Sequence, residues 1–170
     1  VQIAEPEVPP CEEWGTMEKL AREKEVVGIY ISGHPLDDFK IEMQSFCNGT
    51  LSLFNDIETY VNRELTFGGV VTDVQHRVSK QGKGWALFTI EDYTDTYEFR
   101  IFGEEYLKFR HFFVKNSFVY VRAYVKEGWT NRETGKKGDP RIQFNNFQLL
   151  PIILIELKLF QQNQLEHIFY

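Results

Sequence analysis

Leu65-Thr66-Phe67-Gly68-Gly69-Val70-Val71-Thr72-Asp73-Val74 is the stretch whose reading decides the fold. Upstream of it the apolar residues recur at helical spacing. From Glu64 onward the period falls to two, the signature of a half-buried strand. The two glycines at mid-strand point to a bulge or a sharp bend, the device that lets one strand serve both halves of a small barrel. Working downstream, Ser79-Lys80-Gln81-Gly82-Lys83-Gly84 reads as a loop. Trp85–Glu91 and Tyr97–Phe102 read as strands joined by the polar turn Asp92-Tyr93-Thr94-Asp95. Glu104–Phe113 has helical spacing and Asn116 a plausible stop; Ser117–Lys126 alternates again; Glu127–Pro140 is a long loop and Arg141–Leu150 a last strand.

Three strands, a helix and two more strands is the element order of the OB-fold, a five-stranded Greek-key barrel. The fold class expected is therefore mainly β with helices: an OB-fold barrel over 64–150, an N-terminal helical arm over 1–63, and a truncated C-terminal strand within 151–170. In the arm, Pro6, Pro9 and Pro10 block regular structure. Thr16 is placed to cap a helix running to about Val27, with Glu18 in its first turn. Ser32-Gly33-His34-Pro35 stops it, and Leu36, Phe39, Ile41 and Met43 fall on a further short helical piece. Ile152–Leu159 reads as the extra strand.

The chain has 170 residues, enough for one medium domain or a small one with an arm, and begins at Val1 rather than Met, as a piece of a longer protein would. Its 15 Phe and 8 Tyr suit a small all-β core. No apolar run reaches the roughly 18–20 residues of a membrane helix, and no secretory leader is present, so a cytoplasmic location is expected. Cys11 and Cys47 have no ligand-like spacing, and His34, His76, His111 and His167 are scattered, which argues against a metal site or disulfide framework. The net charge of −6 is unevenly spread. Residues 1–63 carry 5 Lys/Arg against 12 Asp/Glu, whereas 64–150 carry 13 against 11. Only the barrel region suits a polyanion, because distribution rather than the total is what a polyanion feels within a Debye length of about 8–10 Å.

OB-folds hold single strands through the second and third strands and the loops joining strands one to two and four to five. In the first loop Lys80 and Lys83, preceded by Arg77, can reach phosphate. On the strands, Ala86, Phe88, Ile90, Tyr97, Phe99 and Ile101 suit the interior. That leaves Trp85, Arg100 and Phe102 on one outer surface for stacking beside a cation, with Glu98 opposing. The competing reading packs Trp85 and Phe102 against the N-terminal arm. In the long loop Trp129, Arg132, Lys136 and Lys137, followed by Arg141, combine a ring with cations on an exposed hairpin. Thr50-Leu51-Ser52-Leu53-Phe54 imitates a sliding-clamp motif without its leading Gln, so packing beneath the barrel is the expectation. His34 has no nucleophile or carboxylate partner nearby in sequence, and a turn-stabilising hydrogen bond is the reading for it.

Glu23-Lys24-Glu25-Val26-Val27-Gly28-Ile29-Tyr30-Ile31-Ser32-Gly33-His34-Pro35-Leu36-Asp37 resembles the segment preceding the OB domain in the alpha (catalytic) subunit of bacterial DNA polymerase III. Gly69–Val74, Lys80–Lys83, Phe88–Tyr93 and Phe102–Tyr106 resemble the OB domain itself, so the likeness covers roughly Glu18 to Leu150. It implies a C-terminal piece of a replicative polymerase, with no catalytic residues of its own, that holds single-stranded template DNA. The magnesium-dependent palm would lie elsewhere in the longer chain, and neighbouring segments would meet the sliding clamp and clamp loader. Two other readings stand beside it: a spacer between polymerase core and clamp loader that binds no DNA, and an RNA-binding OB module like a synthetase anticodon domain.

Overall fold

The computed structural model describes residues 12–130 and 134–153. Two compact units divide the chain between Pro35 and Leu36. In the first, helix α1 (Thr16–Val27) is capped by Gly15, whose carbonyl accepts the Lys19 N–H at 3.0 Å; Thr16 is the first helical residue rather than the cap. Gly28 ends the helix in the left-handed region at φ 86° and donates to the Lys24 carbonyl. The Glu23 carboxylate then gathers the Ile31 N–H at 2.9 Å, the Ser32 N–H at 2.8 Å and the Ser32 hydroxyl. These bonds, the Ser32 hydroxyl first, hold its carboxyl below the usual carboxylate range. The turn at 28–33 is thereby tied to the helix it follows, and His34 lies edge-on to Tyr30.

The second unit is built on one antiparallel sheet of order β3-β2-β1-β4-β5. Its strands are β1 (Glu64–Val78), β2 (Gly84–Glu91), β3 (Thr96–Phe102), β4 (Phe118–Lys126) and β5 (Arg141–Leu149). The first strand pairs with β4 over Glu64–Val70 and with β2 over Val70–Val78, so it does serve both halves. The irregularity lies between Val71 and Asp73, however, and not at the glycines. Gly68 and Gly69 answer a different need. A Cβ on Gly69 would lie 2.5 Å from the Glu91 carbonyl oxygen, and one on Gly68 would lie 2.4 Å from Met43 Sδ of helix α2 (Lys40–Phe46). Backbone and sulfur approach this strand too closely for any side chain.

Beyond its ladders the sheet coils on itself. Phe99 of β3 meets Phe144 of β5 at 5.8 Å between centroids, and Phe88 reaches both, although β3 and β5 share no ladder. The result is the partly open barrel of the OB-fold. Helix α3 (Gly103–Phe109) and a 3₁₀ turn at Arg110–Phe112 close one end. Together they span nearly the expected 104–113 helix, though only the first seven residues are α-helical, and Phe109 and Phe113 bury into the core. Segment Leu51–Tyr60, 3₁₀ turns kinked at Asp56, supplies Phe54 to the cluster, its ring 5.0 Å from both Phe67 and Phe99. Buried Asp92 ties this segment down by accepting the Leu51 N–H at 2.7 Å, along with the Thr94 N–H and hydroxyl and the Asp95 N–H. The clamp-like Leu51 and Phe54 are thus core residues. Residues 36–63 belong to the same compact unit as the barrel, and Leu51 and Phe54 pack into its core.

A smaller cluster of Leu36, Phe39, Tyr120, Leu150 and Ile153 covers the outer side of β4. Residues 150–153 are helical where a strand was expected from Ile152; the rest of Ile152–Leu159 lies outside the described residues. Half-buried Cys47 is a free thiol pushed up to about 12 by burial first and the Asp92 charge second. Among the described residues no helix is long and apolar enough to cross a membrane.

Gly69→Ala should destabilise the chain by roughly 2–3 kcal/mol in urea unfolding, because its methyl group meets backbone that cannot step aside. An alanine variant as stable as the parent would mean that β1 does not need this close approach.

Candidate nucleic-acid interface

The register of the sheet aligns one row of side chains across three strands. Arg77 of β1 lies opposite Trp85 of β2, and Trp85 lies opposite Phe102 of β3. Successive strands are about 4.8 Å apart, close to ring-stacking distance. The row is in fact stacked: Trp85 and Phe102 have centroids 5.3 Å apart at an interplanar angle of 19°, and the Arg77 guanidinium lies 5.6 Å from the indole centroid. Phe102 remains 57% exposed, and the ring it packs on is Trp85.

Lys80 and Lys83 sit just past the row's first strand pair, on the exposed tip formed by residues 79–83. The Ser79 N–H donates to the Lys83 carbonyl at 2.8 Å and Gly82 takes φ 76°, so the tip is a defined turn. At its far end the row meets a groove of about 500 Å³ between the unpaired edges β3 and β5. Glu98, Arg100 and Phe102 line one wall, and Pro140, Arg141 and Phe144 the other. Arg141 in turn lies over Trp129, 4.2 Å from the ring centroid, with the indole 74% exposed.

Trp129 belongs to the β4–β5 hairpin, held by a Thr130–Lys137 bridge and by the Gly138 N–H donating to the Trp129 carbonyl at 2.9 Å. A Cβ on Gly128 would lie 1.9 Å from the Gly138 carbonyl, so the glycine permits the crossing of the hairpin arms. Two carboxylates compete for the cations here. Glu127 pairs with Lys137 at 3.0 Å, and Glu98 lies 3.8 Å from Arg100. Lys137 above all, then Asn62, holds the Glu127 carboxyl below the usual carboxylate range. Lys136 is exposed beside the bridge, and Arg132 lies outside the described residues.

Arg77, Trp85, Phe102, Arg100, Arg141 and Trp129 therefore form one connected track, with Lys80 and Lys83 at one end and Lys136 and Lys137 at the other. The groove walls Tyr97, Pro140, Ile142 and Phe144 escaped the sequence reading, because they become neighbours only when the sheet coils. Among the described residues no group of three His, Cys, Asp or Glu side chains could hold a metal ion.

The strands that carry this track, residues 65–150, match the family model described as an OB-fold nucleic acid binding domain. The chain belongs to that family. Its OB region also matches DNA polymerase III subunit alpha from many bacteria. The Mycobacterium tuberculosis protein is 31% identical over 116 residues, 68% of this chain and 10% of that protein. The Aquifex aeolicus protein is 29% identical over 119 residues, 69% of this chain and 10% of that protein. The Campylobacter jejuni protein is 34% identical over 94 residues, 55% of this chain and 8% of that protein. The chain thus spans about a tenth of the relatives it matches.

Depressed by its partners, the Glu127 carboxyl should titrate by NMR with a midpoint below the ordinary 4.5. The contact it makes stabilises the hairpin above its unfolded pKa and is lost as pH falls through the folded one. In Lys137→Gln the midpoint should rise back toward 4.5; an unmoved midpoint would mean that Lys137 is not the cause.

Proposed function

We propose that the chain is the OB module of a replicative DNA polymerase and that its groove holds single-stranded DNA on the template path. The observation that carries this reading is the connected track of rings and guanidinium groups from the β1–β2 tip to the β4–β5 hairpin. Aromatic faces take any base, since every base has a π-face, and cations follow the phosphates without fixing a register. Such a site tolerates all sequences, which a replicating enzyme requires. The polymerase assignment rests on the likeness to the alpha subunits, and the clamp and clamp loader would be met by other parts of that longer chain. Net charge and the two competing carboxylates make affinity modest: template is retained near the active site by tethering rather than by tight binding.

Titration with an oligo(dT) strand, followed by Trp fluorescence, tests this. Binding should weaken as salt rises, with a log–log slope of roughly −3, as expected for about four phosphate contacts on a single strand. Arg100→Gln with Arg141→Gln should lower affinity about tenfold, and Glu127→Gln, by freeing Lys137, should raise it two- to threefold. Salt-independent binding, or none at low salt, would sink the proposal and favour the spacer.

A further inference from the structure

The stacked row has two ends that differ in what they offer a ligand. At one end the Arg77 guanidinium lies over the Trp85 indole. On its opposite cross-strand side the indole stacks on Phe102 at 5.3 Å. The largest ring of the row is therefore flanked on both sides by its own neighbours and is half-buried. Phe102 stands last in the row, on β3, which is an edge strand among the described residues. One of its faces rests on Trp85, and the ring is still 57% exposed and lines the groove that Arg141 borders from β5.

We infer that Phe102, and not Trp85, is the platform on which an unpaired base stacks, with Trp85 as the positioning residue that holds the phenyl ring upright. The inference rests on the proposed single-strand function and refines it to one ring and one nucleotide. A base entering the groove continues the Arg77–Trp85–Phe102 row as its fourth member, and Arg141 across the groove meets its phosphate or its outer face. A paired base cannot do this without leaving its duplex, so the site selects unpaired nucleotides. The ladder also gives Trp85 a purpose that an indole platform would not need. A lone exposed phenylalanine loses rotamer freedom on binding, whereas one already stacked has lost it on folding.

The test uses the 170-residue chain, with binding read from the fluorescence anisotropy of an end-labelled oligo(dT) strand. Phe102→Leu keeps apolar bulk but removes the π-face, and should weaken oligo(dT) binding roughly tenfold with little change in melting temperature. Trp85→Phe keeps the stack and should bind within about twofold of its parent, whereas Trp85→Ala should weaken binding nearly as much as Phe102→Leu. In a separate Trp14→Phe/Trp129→Phe variant, where Trp85 is the sole indole, saturating oligo(dT) should change the emission only slightly, since no base lies on Trp85. Strong quenching of Trp85, or a Trp85→Phe variant as damaged as Phe102→Leu, overturns the assignment in favour of an indole platform while leaving single-strand binding intact. Absence of binding by the parent chain instead removes the functional reading and this one with it.

Discussion

One strand with two sets of partners is the constraint on which the rest of the structure depends. β1 gives its first half to β4 and its second half to β2, so the two halves of the sheet must diverge about Val70. Gly68 and Gly69 make that possible by admitting Met43 from one direction and the end of β2 from the other. Once β1 bends, β3 and β5 swing toward each other across the phenylalanine cluster without coming into register. The core, the open edge and the groove all follow from that single divergence.

Stacking recurs outside as well as inside. Within the barrel Phe88 touches Phe99, Phe113, Phe144 and Phe147, a cluster held by dispersion and by edge and face geometry rather than by polar bonds. Outside, the Arg77–Trp85–Phe102 row stacks across neighbouring strands on the outer side of the sheet. The inner set holds the fold together; the outer set leaves a face available. Cations lie over both indoles of the track, and carboxylates stand beside Arg100 and Lys137, so the track is polarised but locally compensated.

The order of elements along the chain, the alternation of β2 and β3, and the outward placement of Trp85, Arg100 and Phe102 were legible in the sequence because each shows in local periodicity. What escaped it depends on distant partners. The bulge at Thr72 rather than at the glycines, the groove wall at Pro140 and Phe144, and the covering of Tyr120 by Leu36 and Phe39 are set by packing between segments far apart in the chain. Gly15, not Thr16, caps α1, although a hydroxyl at the start of a helical pattern ordinarily outranks glycine. Leu51 and Phe54 show the reverse danger, a linear motif whose anchors are already buried.

The missing ladder between β3 and β5 also governs how a long polymer would reach the groove. The interior is filled by phenylalanine rings, so a ligand would lie along the cleft rather than pass through the barrel. A cleft whose two lips are joined by side chains alone is open along its length, and a polymer laid in it would need no free end. Phe99 and Phe144 meet edge to face beneath it, so ring contact bridges the two lips where backbone hydrogen bonds do not.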